Sequence, residues 1–359
     1  MPSAPMRGQR RGVGAALAAA ALFGASTPAA KTLLTGVQPA MLAGVLYAGS
    51  GLALGAWWVV RNRMQRDRPE APLRMGDLGW LAGAILAGGV VGPVLLMVGL
   101  RGMAAATGSL LLNLEGVFTA GLAWFVFREN FDRRIFAGMA CILGGGVVLS
   151  WSGGQVEGGR VWPALAIVGA CLAWAIDNNL TRKISASDPL QIASLKGLVA
   201  GPTSILLGIA AGEQLPAGAF LVAGAAAGML GYGLSLTLFI SALRQIGTAR
   251  TAAYFSVAPF VGAVLSIVFL GDQMTWRLAA AGMLMAAGVW LHLTERHTHD
   301  HVHDAVEHEH RHIHDEHHAH EPAGDDGQPH SHRHTHEPRI HSHPHYPDIH
   351  HRHGHEPGS

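Results

Sequence analysis

An acidic residue, Glu115, lies inside a long apolar stretch of the chain. In a helix it shares one face with Gly108 and Thr119, because the spacings are seven and four residues. An ionised carboxylate costs at least about 2.5–3.5 kcal/mol at the centre of a membrane-spanning helix. One interpretation is a carboxylate that binds a cation or carries a proton in a cavity. The other is a protonated or hydrogen-bonded side chain that joins two helices.

A second polar group interrupts an apolar stretch between Trp174 and Thr181. Trp174, Asp177 and Thr181 share a helical face, and Asn178 and Asn179 lie to either side of it. This arrangement suits a binding site for a polar substrate or ion, in which Asp177 supplies the charge. It also suits a helix end at the membrane interface, where polar side chains carry little penalty. The sequence leaves both interpretations open.

A lysine, Lys196, lies about six residues into the next apolar stretch. Its flexible side chain could extend from there to the membrane surface. Alternatively, its ammonium group could be the counter-charge of Glu115 or Asp177. The predicted pathway for a substrate or ion consists of Glu115, Thr119, Trp174, Asp177, Asn178, Asn179 and Lys196.

The C-terminal tail, residues 297–359, holds 22 of the 23 histidines and 12 acidic residues. Its His-x-His alternation offers imidazole and carboxylate ligands for Zn²⁺, Ni²⁺ or Co²⁺. Low apolar content predicts a disordered segment, and a solvated tail that only titrates with pH is the alternative interpretation. The candidate metal ligands are His299, His301, His303, His308, His310, His312, His314, His317, His318, His320, His332, His334, His336, His343 and His345.

The elements that position these residues are predicted to be membrane-spanning helices. A span needs roughly 17–25 apolar residues, and such runs lie at about 13–33, 39–60, 78–99, 103–127, 135–151, 162–181, 190–211, 217–241, 250–270 and 277–293. The predicted fold class is therefore an all-α integral membrane protein with about ten transmembrane helices. Cys141 and Cys171, both in apolar runs, are expected to be packing residues rather than a disulfide or metal pair.

Basic residues indicate how the predicted spans cross the membrane. With a cytoplasmic N-terminus, fifteen Lys and Arg residues fall on the inner side and four on the outer side. Cytoplasmic loops carry the excess of Lys and Arg. We therefore expect a multi-pass protein of the inner (plasma) membrane, with both termini in the cytoplasm.

The chain repeats itself. Residues 99–151 align with 242–294 at a constant offset of 143, and Pro39 corresponds to Pro189 at an offset of 150. Since each half contains five spans, the second half enters the membrane from the opposite side. Such inverted repeats are typical of secondary transporters, whose sites lie where the halves meet. The predicted division is 1–155 and 156–296 for the two halves, followed by the tail.

Two halves that each end in an apolar helix, an acidic residue and a Gly-rich helix resemble the EamA family of the drug/metabolite transporter superfamily. The acidic residues are Glu129 in Phe127-Arg128-Glu129 and Asp272 in Leu270-Gly271-Asp272. The resemblance covers about residues 13–293 and implies a transporter of small metabolites. Pro259 fits the proline that is frequent in the penultimate helix of each half in that family, whereas Gly116 replaces it in the first half.

The predicted function is gradient-driven transport of a small metabolite, because the chain has no Walker A motif and no GxGxxG. One alternative is a divalent-metal exporter whose tail captures or senses the metal, and another is a membrane metal sensor or scaffold without transport. An intramembrane enzyme is not expected, since the part of the chain before the tail contains neither GxSxG nor HExxH, and its only histidine, His292, ends a span. No cofactor and no nucleic-acid partner are expected; the partners are the lipid bilayer and a small molecule or ion.

Overall fold

The computed structural model describes residues 4–64, 73–127, 133–150, 161–184, 187–246 and 248–293, and four short segments of the tail. The helices of the first half are α1 (Ala4–Leu33), α2 (Pro39–Met64), α3 (Leu78–Ala84), α4 (Gly92–Arg101), α5 (Ala105–Leu111), α6 (Leu114–Phe127) and α7 (Arg133–Ser150). Those of the second half are α8 (Trp162–Lys183), α9 (Pro189–Ala210), α10 (Gly218–Gly228), α11 (Ser235–Ile246), α12 (Thr248–Phe255), α13 (Ala258–Leu270) and α14 (Trp276–Leu293).

Seven helices of the described chain are long and apolar enough to cross a membrane, and two further apolar helices, Arg134–Ser150 and Trp276–Leu291, are shorter. Large apolar side chains cover the outside of this bundle: Phe125, Val222 and Phe269 are 74%, 69% and 76% exposed. Such an apolar outer surface suits contact with lipid rather than water. The prediction of a helical membrane protein is therefore confirmed, whereas the count of ten spans stays a prediction.

The predicted fourth span is broken, which corrects the expected position of Glu115. Helix α5 ends at Leu111 and α6 begins at Leu114, so Glu115 lies in the first turn of α6 rather than mid-helix. The side chain of Asn113 donates to the carbonyl of Leu110 at 2.9 Å, and the backbone amide of Asn113 donates to the same carbonyl at 3.1 Å. These i→i+3 bonds tighten the chain and end α5. Gly108 consequently lies on the other side of the break from Glu115.

Each half also contains a π-helix within its predicted third span. The first π-helix is Ile85–Val91, between α3 and α4, and the second is Met229–Leu234, between α10 and α11. Single π-turns inside α-helices are often found at functional sites, because they displace backbone groups from the regular ladder. The two halves therefore share an irregularity at the same position.

The helices of the two halves pack against one another in matched pairs. Helix α2 packs along α9, and α7 packs along α14. Helix α1 contacts α11 and α13, while α8 contacts α4 and α6. A Cβ at Gly51 would meet the backbone of Gly197 in α9, so only glycine allows α2 and α9 to approach this closely.

Acidic side chains of the second half cap helices of the first half. Asp272 accepts a hydrogen bond from the amide of Ala106 at 2.7 Å, at the start of α5. Glu213 accepts from the amides of Ala40 and Met41, at 3.2 and 2.7 Å, at the start of α2. The first amides of a helix have no partner within it, and a carboxylate there satisfies them and interacts favourably with the helix dipole. These contacts tie the halves together.

The structure differs from the predicted disorder in part of the tail. Strand β1 (Asp300–His303) pairs antiparallel with β4 (Arg339–Ser342), and β2 (Val306–His312) pairs antiparallel with β3 (His330–His336). The His-x-His alternation has the two-residue period of a strand, which explains how this polar sequence forms ladders. Because of these strands, the predicted all-α fold class holds only for the part of the described chain before the tail.

Candidate functional site

The centre of the site is an ion pair between α8 and α9. The Lys196 ammonium donates to both carboxylate oxygens of Asp177, at 2.6 Å each, and the Thr181 hydroxyl donates to Oδ1 at 2.8 Å. The side chain of Asp177 is 8% exposed and that of Lys196 is 18% exposed. Of the two interpretations of Lys196, the structure therefore matches the counter-charge, and the partner is Asp177 rather than Glu115.

The first π-helix approaches this pair without a side chain between them. A Cβ at Gly88 would coincide with the Asp177 carboxylate, so only glycine fits at this position. The next turn also lies close to α8, because a Cβ at Gly92 would lie 2.9 Å from the indole nitrogen of Trp174. Small residues thus allow the backbone of the third span to reach the charged pair.

The carbonyl oxygen of Gly88 accepts hydrogen bonds from side chains instead of from a backbone amide. Pro93 has no N–H for the π-type bond to this carbonyl, and the backbone amide of Gly92 donates to the carbonyl of Ala87 instead. The Tyr47 hydroxyl and the Trp174 indole N–H both donate to the Gly88 carbonyl, at 2.9 Å each. One backbone oxygen therefore connects α2, the first π-helix and α8 beside the ion pair.

Glu115 belongs to a second polar cluster, between α6 and α8. Asn178 donates to Glu115 Oε1 at 2.8 Å and to the Thr119 hydroxyl at 3.3 Å. Asn179 donates to the backbone carbonyl of Thr119 at 3.2 Å. The structure thus brings together all four predicted residues of this cluster. Glu115 is half-buried and Asn178 is exposed, so the cluster lies toward the outside of the bundle.

A cavity of about 500 Å³ adjoins the ion pair. This volume is within the range of sites that bind small organic molecules. Its lining residues come from α1, α2, α8, α9, the second π-helix, α11 and α12, so both halves contribute. They are Phe23, Tyr47, Ser50, Leu54, Thr181, Pro189, Ile192, Ala193, Lys196, Gly197, Tyr232, Ser235, Leu236, Phe239 and Phe255.

Aromatic rings form one wall of the cavity. Tyr232 packs against Phe23 and Tyr47, with ring centroids 5.8 and 5.6 Å apart, and Phe239 packs against Phe255 at 4.9 Å. Tyr47 and Tyr232 were not among the predicted pathway residues. Each places a phenolic hydroxyl in the middle of an apolar predicted span, and that signal could have identified them.

No metal centre is seen in the part of the chain whose side chains are described, where no three His, Cys, Asp or Glu residues lie together. Of the predicted tail ligands, His299, His314, His317, His318, His320, His343 and His345 lie outside the described residues. The others lie on three of the four tail strands: His301 and His303 on β1, His308, His310 and His312 on β2, and His332, His334 and His336 on β3.

Comparison with known proteins decides the family. The model of the EamA-like transporter family matches residues 10–151 and again 161–294. The chain belongs to the EamA-like transporter family. As a member of the EamA-like family it is a multi-pass membrane protein of the transporter type, which confirms the resemblance inferred from the residues.

Individual relatives agree with this assignment. An "Uncharacterized transporter" of Methanothermobacter thermautotrophicus is 24% identical over 291 residues, covering 77% of this chain and 84% of the relative. A "Probable amino-acid metabolite efflux pump" of Salmonella typhimurium is 27% identical over 213 residues, covering 54% of this chain and 68% of the relative. A solved crystal structure aligns with this EamA-like chain at a TM-score of 0.57 and 19% sequence identity. The alignment covers 78% of this chain and 95% of the chain in that structure, which shows a shared fold.

Proposed function

We propose that this protein is a secondary-active transporter that exports a small organic molecule through the cavity beside Asp177 and Lys196. The observation that carries the proposal is the position of that cavity. It lies where helices of both halves meet, and Lys196 of the buried ion pair is one of its lining residues. Sites at the interface of two halves are typical of transporters that work by alternating access.

The two halves are proposed to be inverted repeats. In α7 and α14 the contacts are reciprocal at the sequence offset of 143: a Cβ at Gly145 would meet Met285, and one at Gly288 would meet Ile142. Ile142 and Gly145 correspond to Met285 and Gly288 at this offset. Such reciprocal contacts are those of a two-fold axis, and they support an axis between the halves.

A second pair of contacts near the cavity supports the same axis. The approach of Gly88 to Asp177 has a counterpart in the approach of Gly231 to Ser26. Gly231 follows Gly88 by 143 residues, and Asp177 follows Ser26 by 151. The two equivalent positions of the proposed repeat therefore differ in chemistry: the second half has the carboxylate of Asp177 where the first half has the hydroxyl of Ser26. The two family-model matches, one in each half, support this reading as well.

The charge bias supports ten spans with both termini in the cytoplasm. The nine apolar helices, together with the broken segment α5–α6, would supply that number. In this orientation Thr181 and Pro189 flank a cytoplasmic turn, so the cavity would open toward the cytoplasm. An inward-facing cavity is the state in which an exporter of the inner membrane collects its substrate.

Glu115 is proposed to supply the coupling to a gradient. It lies in the first turn of α6, where the positive end of the helix favours a negative side chain. Its partner Asn178 is adjacent in sequence to Asp177, so one turn of α8 contacts both polar clusters. A change at Glu115 on binding a proton or cation could therefore reach the cavity through α8.

A second candidate function, metal capture by the tail, is favoured by the strand register. His308, His310 and His312 on β2 stand opposite His334, His332 and His330 on β3. Alternate residues of a ladder share one face, so this register places six histidines on one face. We propose that this face binds Zn²⁺, Ni²⁺ or Co²⁺, which would serve either a metal-exporting body or a sensor without transport.

Inside-out membrane vesicles provide the test of the proposed function. A panel of radiolabelled metabolites and metal ions is offered to vesicles that contain the full chain, the chain lacking residues 297–359, or no added protein. We expect accumulation of at least one organic compound that requires the protein and survives loss of the tail. Accumulation of a metal ion that disappears with the tail would favour metal export. No protein-dependent accumulation would contradict transport.

A further inference from the structure

The chemical class of the substrate follows from the charges around the cavity. This inference rests on the proposed function, because it assigns a ligand to the proposed transport site. Among the described residues that line the cavity, Lys196 alone carries a charge, and no Asp or Glu lines it. The remaining walls are aromatic rings, aliphatic side chains and a few hydroxyl groups. The cavity therefore offers an ammonium group, which is also paired with Asp177, and an apolar surface.

Lys196 retains donor capacity toward the cavity. An ammonium group has three N–H donors, and the two carboxylate oxygens of Asp177 account for two of them. Lys196 lines the cavity and Asp177 does not, so Lys196 is the charged residue of this pair that a ligand in the cavity contacts. The ion pair keeps Lys196 in place while it binds a second acceptor.

A positively charged group would find no comparable partner. The Asp177 oxygens are already bonded to Lys196 and Thr181. Glu115 is bonded to Asn178 and is not among the described lining residues. A buried ammonium without a counter-charge is strongly unfavourable. The α-ammonium of an amino acid would face this penalty, even though its carboxylate could bind Lys196.

We propose that the cavity binds an organic anion that has one carboxylate and an apolar body the size of an aromatic ring. It discriminates against a zwitterion and an amine with the same apolar body. The carboxylate accepts a hydrogen bond from Lys196, and the body packs against Tyr47, Tyr232 and Phe239. This class does not include a free zwitterionic amino acid, although one relative of the chain is named a "Probable amino-acid metabolite efflux pump".

Four probes with the same phenyl body test the proposal: 3-phenylpropionate, phenylalanine, 3-phenylpropylamine and 3-phenylpropanol. Binding to the purified full chain in lipid nanodiscs is measured at pH 7.5 by calorimetry. A charge-assisted hydrogen bond predicts that the acid binds at least about ten-fold more tightly than each of the others. Equal or tighter binding of phenylalanine or the amine, or no binding of the acid, overturns the proposal.

Two variants assign the preference to the lysine. Lys196→Gln, and Lys196→Gln combined with Asp177→Asn, are expected to reduce the ten-fold preference to about two-fold or less. The double variant leaves no unpaired buried charge, so it keeps the test valid if the single variant fails to fold. Lys31→Gln is the matched control: its ammonium bonds to the Leu100 carbonyl, away from the cavity, and the preference should remain. Preference that survives in the double variant contradicts the proposal.

Binding and transport are measured separately, so the two proposals can fail separately. Binding of the acid without movement across vesicle membranes would reject the transporter and keep the anion site. Transport of compounds that carry no carboxylate would keep the transporter and reject the anion site.

Discussion

Removing one partner of the Asp177–Lys196 ion pair is expected to destabilise the protein far more than removing both. Breaking a buried pair leaves an uncompensated charge and costs about 3–5 kcal/mol, whereas replacing the whole pair is often nearly neutral. Both side chains are largely buried, at 8% and 18% exposed. Lys196 borders the cavity, so an unpaired ammonium could still contact water. We therefore expect Lys196→Met to cost about 3 kcal/mol and Asp177→Asn somewhat less.

The double variant determines the interaction energy. Equilibrium unfolding of the full chain in mixed micelles, followed by tryptophan fluorescence, gives the free energy of unfolding for each protein. Asp177→Asn with Lys196→Met should lose less than the larger single loss, with a coupling of about 2 kcal/mol or more. Lys31→Met is the control, because it removes a lysine that donates to the backbone carbonyls of Leu100 and Arg101. Losses that add within about 0.5 kcal/mol would refute the reasoning, since independent sites behave that way.

The remaining predictions concern a glycine, a carboxylate, the topology and the tail. Gly88→Ala should lower the free energy of unfolding by about 2 kcal/mol or more and impair transport, because the new Cβ collides with Asp177. Gly121→Ala is the control and should do neither, because its Cβ would meet nothing within 4 Å. Equal stability of the two variants in the same unfolding assay would contradict the predicted collision. Glu115→Gln should abolish gradient-driven transport in vesicles while the protein still accumulates in the membrane, and normal transport would end the case for a charge there. Reporter fusions after Arg68 and His355 should read cytoplasmic and one after Gly154 external; a cytoplasmic signal at Gly154 would exclude the proposed inversion. Zn²⁺ should bind the full chain more weakly at pH 5.5 than at pH 7.5, because imidazole has an ordinary pKa of about 6.5 and protons compete with the metal. Zn²⁺ binding that is unchanged when residues 297–359 are removed would exclude the tail as the metal-binding segment.

The sequence predicts the helices well because their signal is local. Apolar runs of membrane length, glycine at close contacts and polar residues inside spans can all be read from neighbouring residues. The polar cluster of Glu115, Thr119, Asn178 and Asn179 was predicted as a set of pathway residues, and the structure brings its members together.

The rest of the site depends on contacts between distant residues, which periodicity does not contain. Tyr47 and Trp174 meet at the Gly88 carbonyl because Pro93 removes its backbone donor, and that requires three spans to be packed. The choice of Asp177 rather than Glu115 as the partner of Lys196 likewise depends on the packing of α8 and α9. The break before Glu115 was missed because a single Asn113 in an apolar run changes hydropathy little.

Filling the cavity with a large side chain tests whether the transported compound passes through it. Ala193 lines the cavity and Ala223 is exposed on the outer surface of α10, so Ala193→Trp and Ala223→Trp make the same change inside and outside the proposed pathway. Each purified full-length variant is reconstituted in liposomes, and gradient-driven flux is measured with a compound that the wild-type protein transports. We expect Ala193→Trp to abolish flux and Ala223→Trp to retain it. Full flux through the Ala193→Trp protein would contradict a substrate path through this cavity.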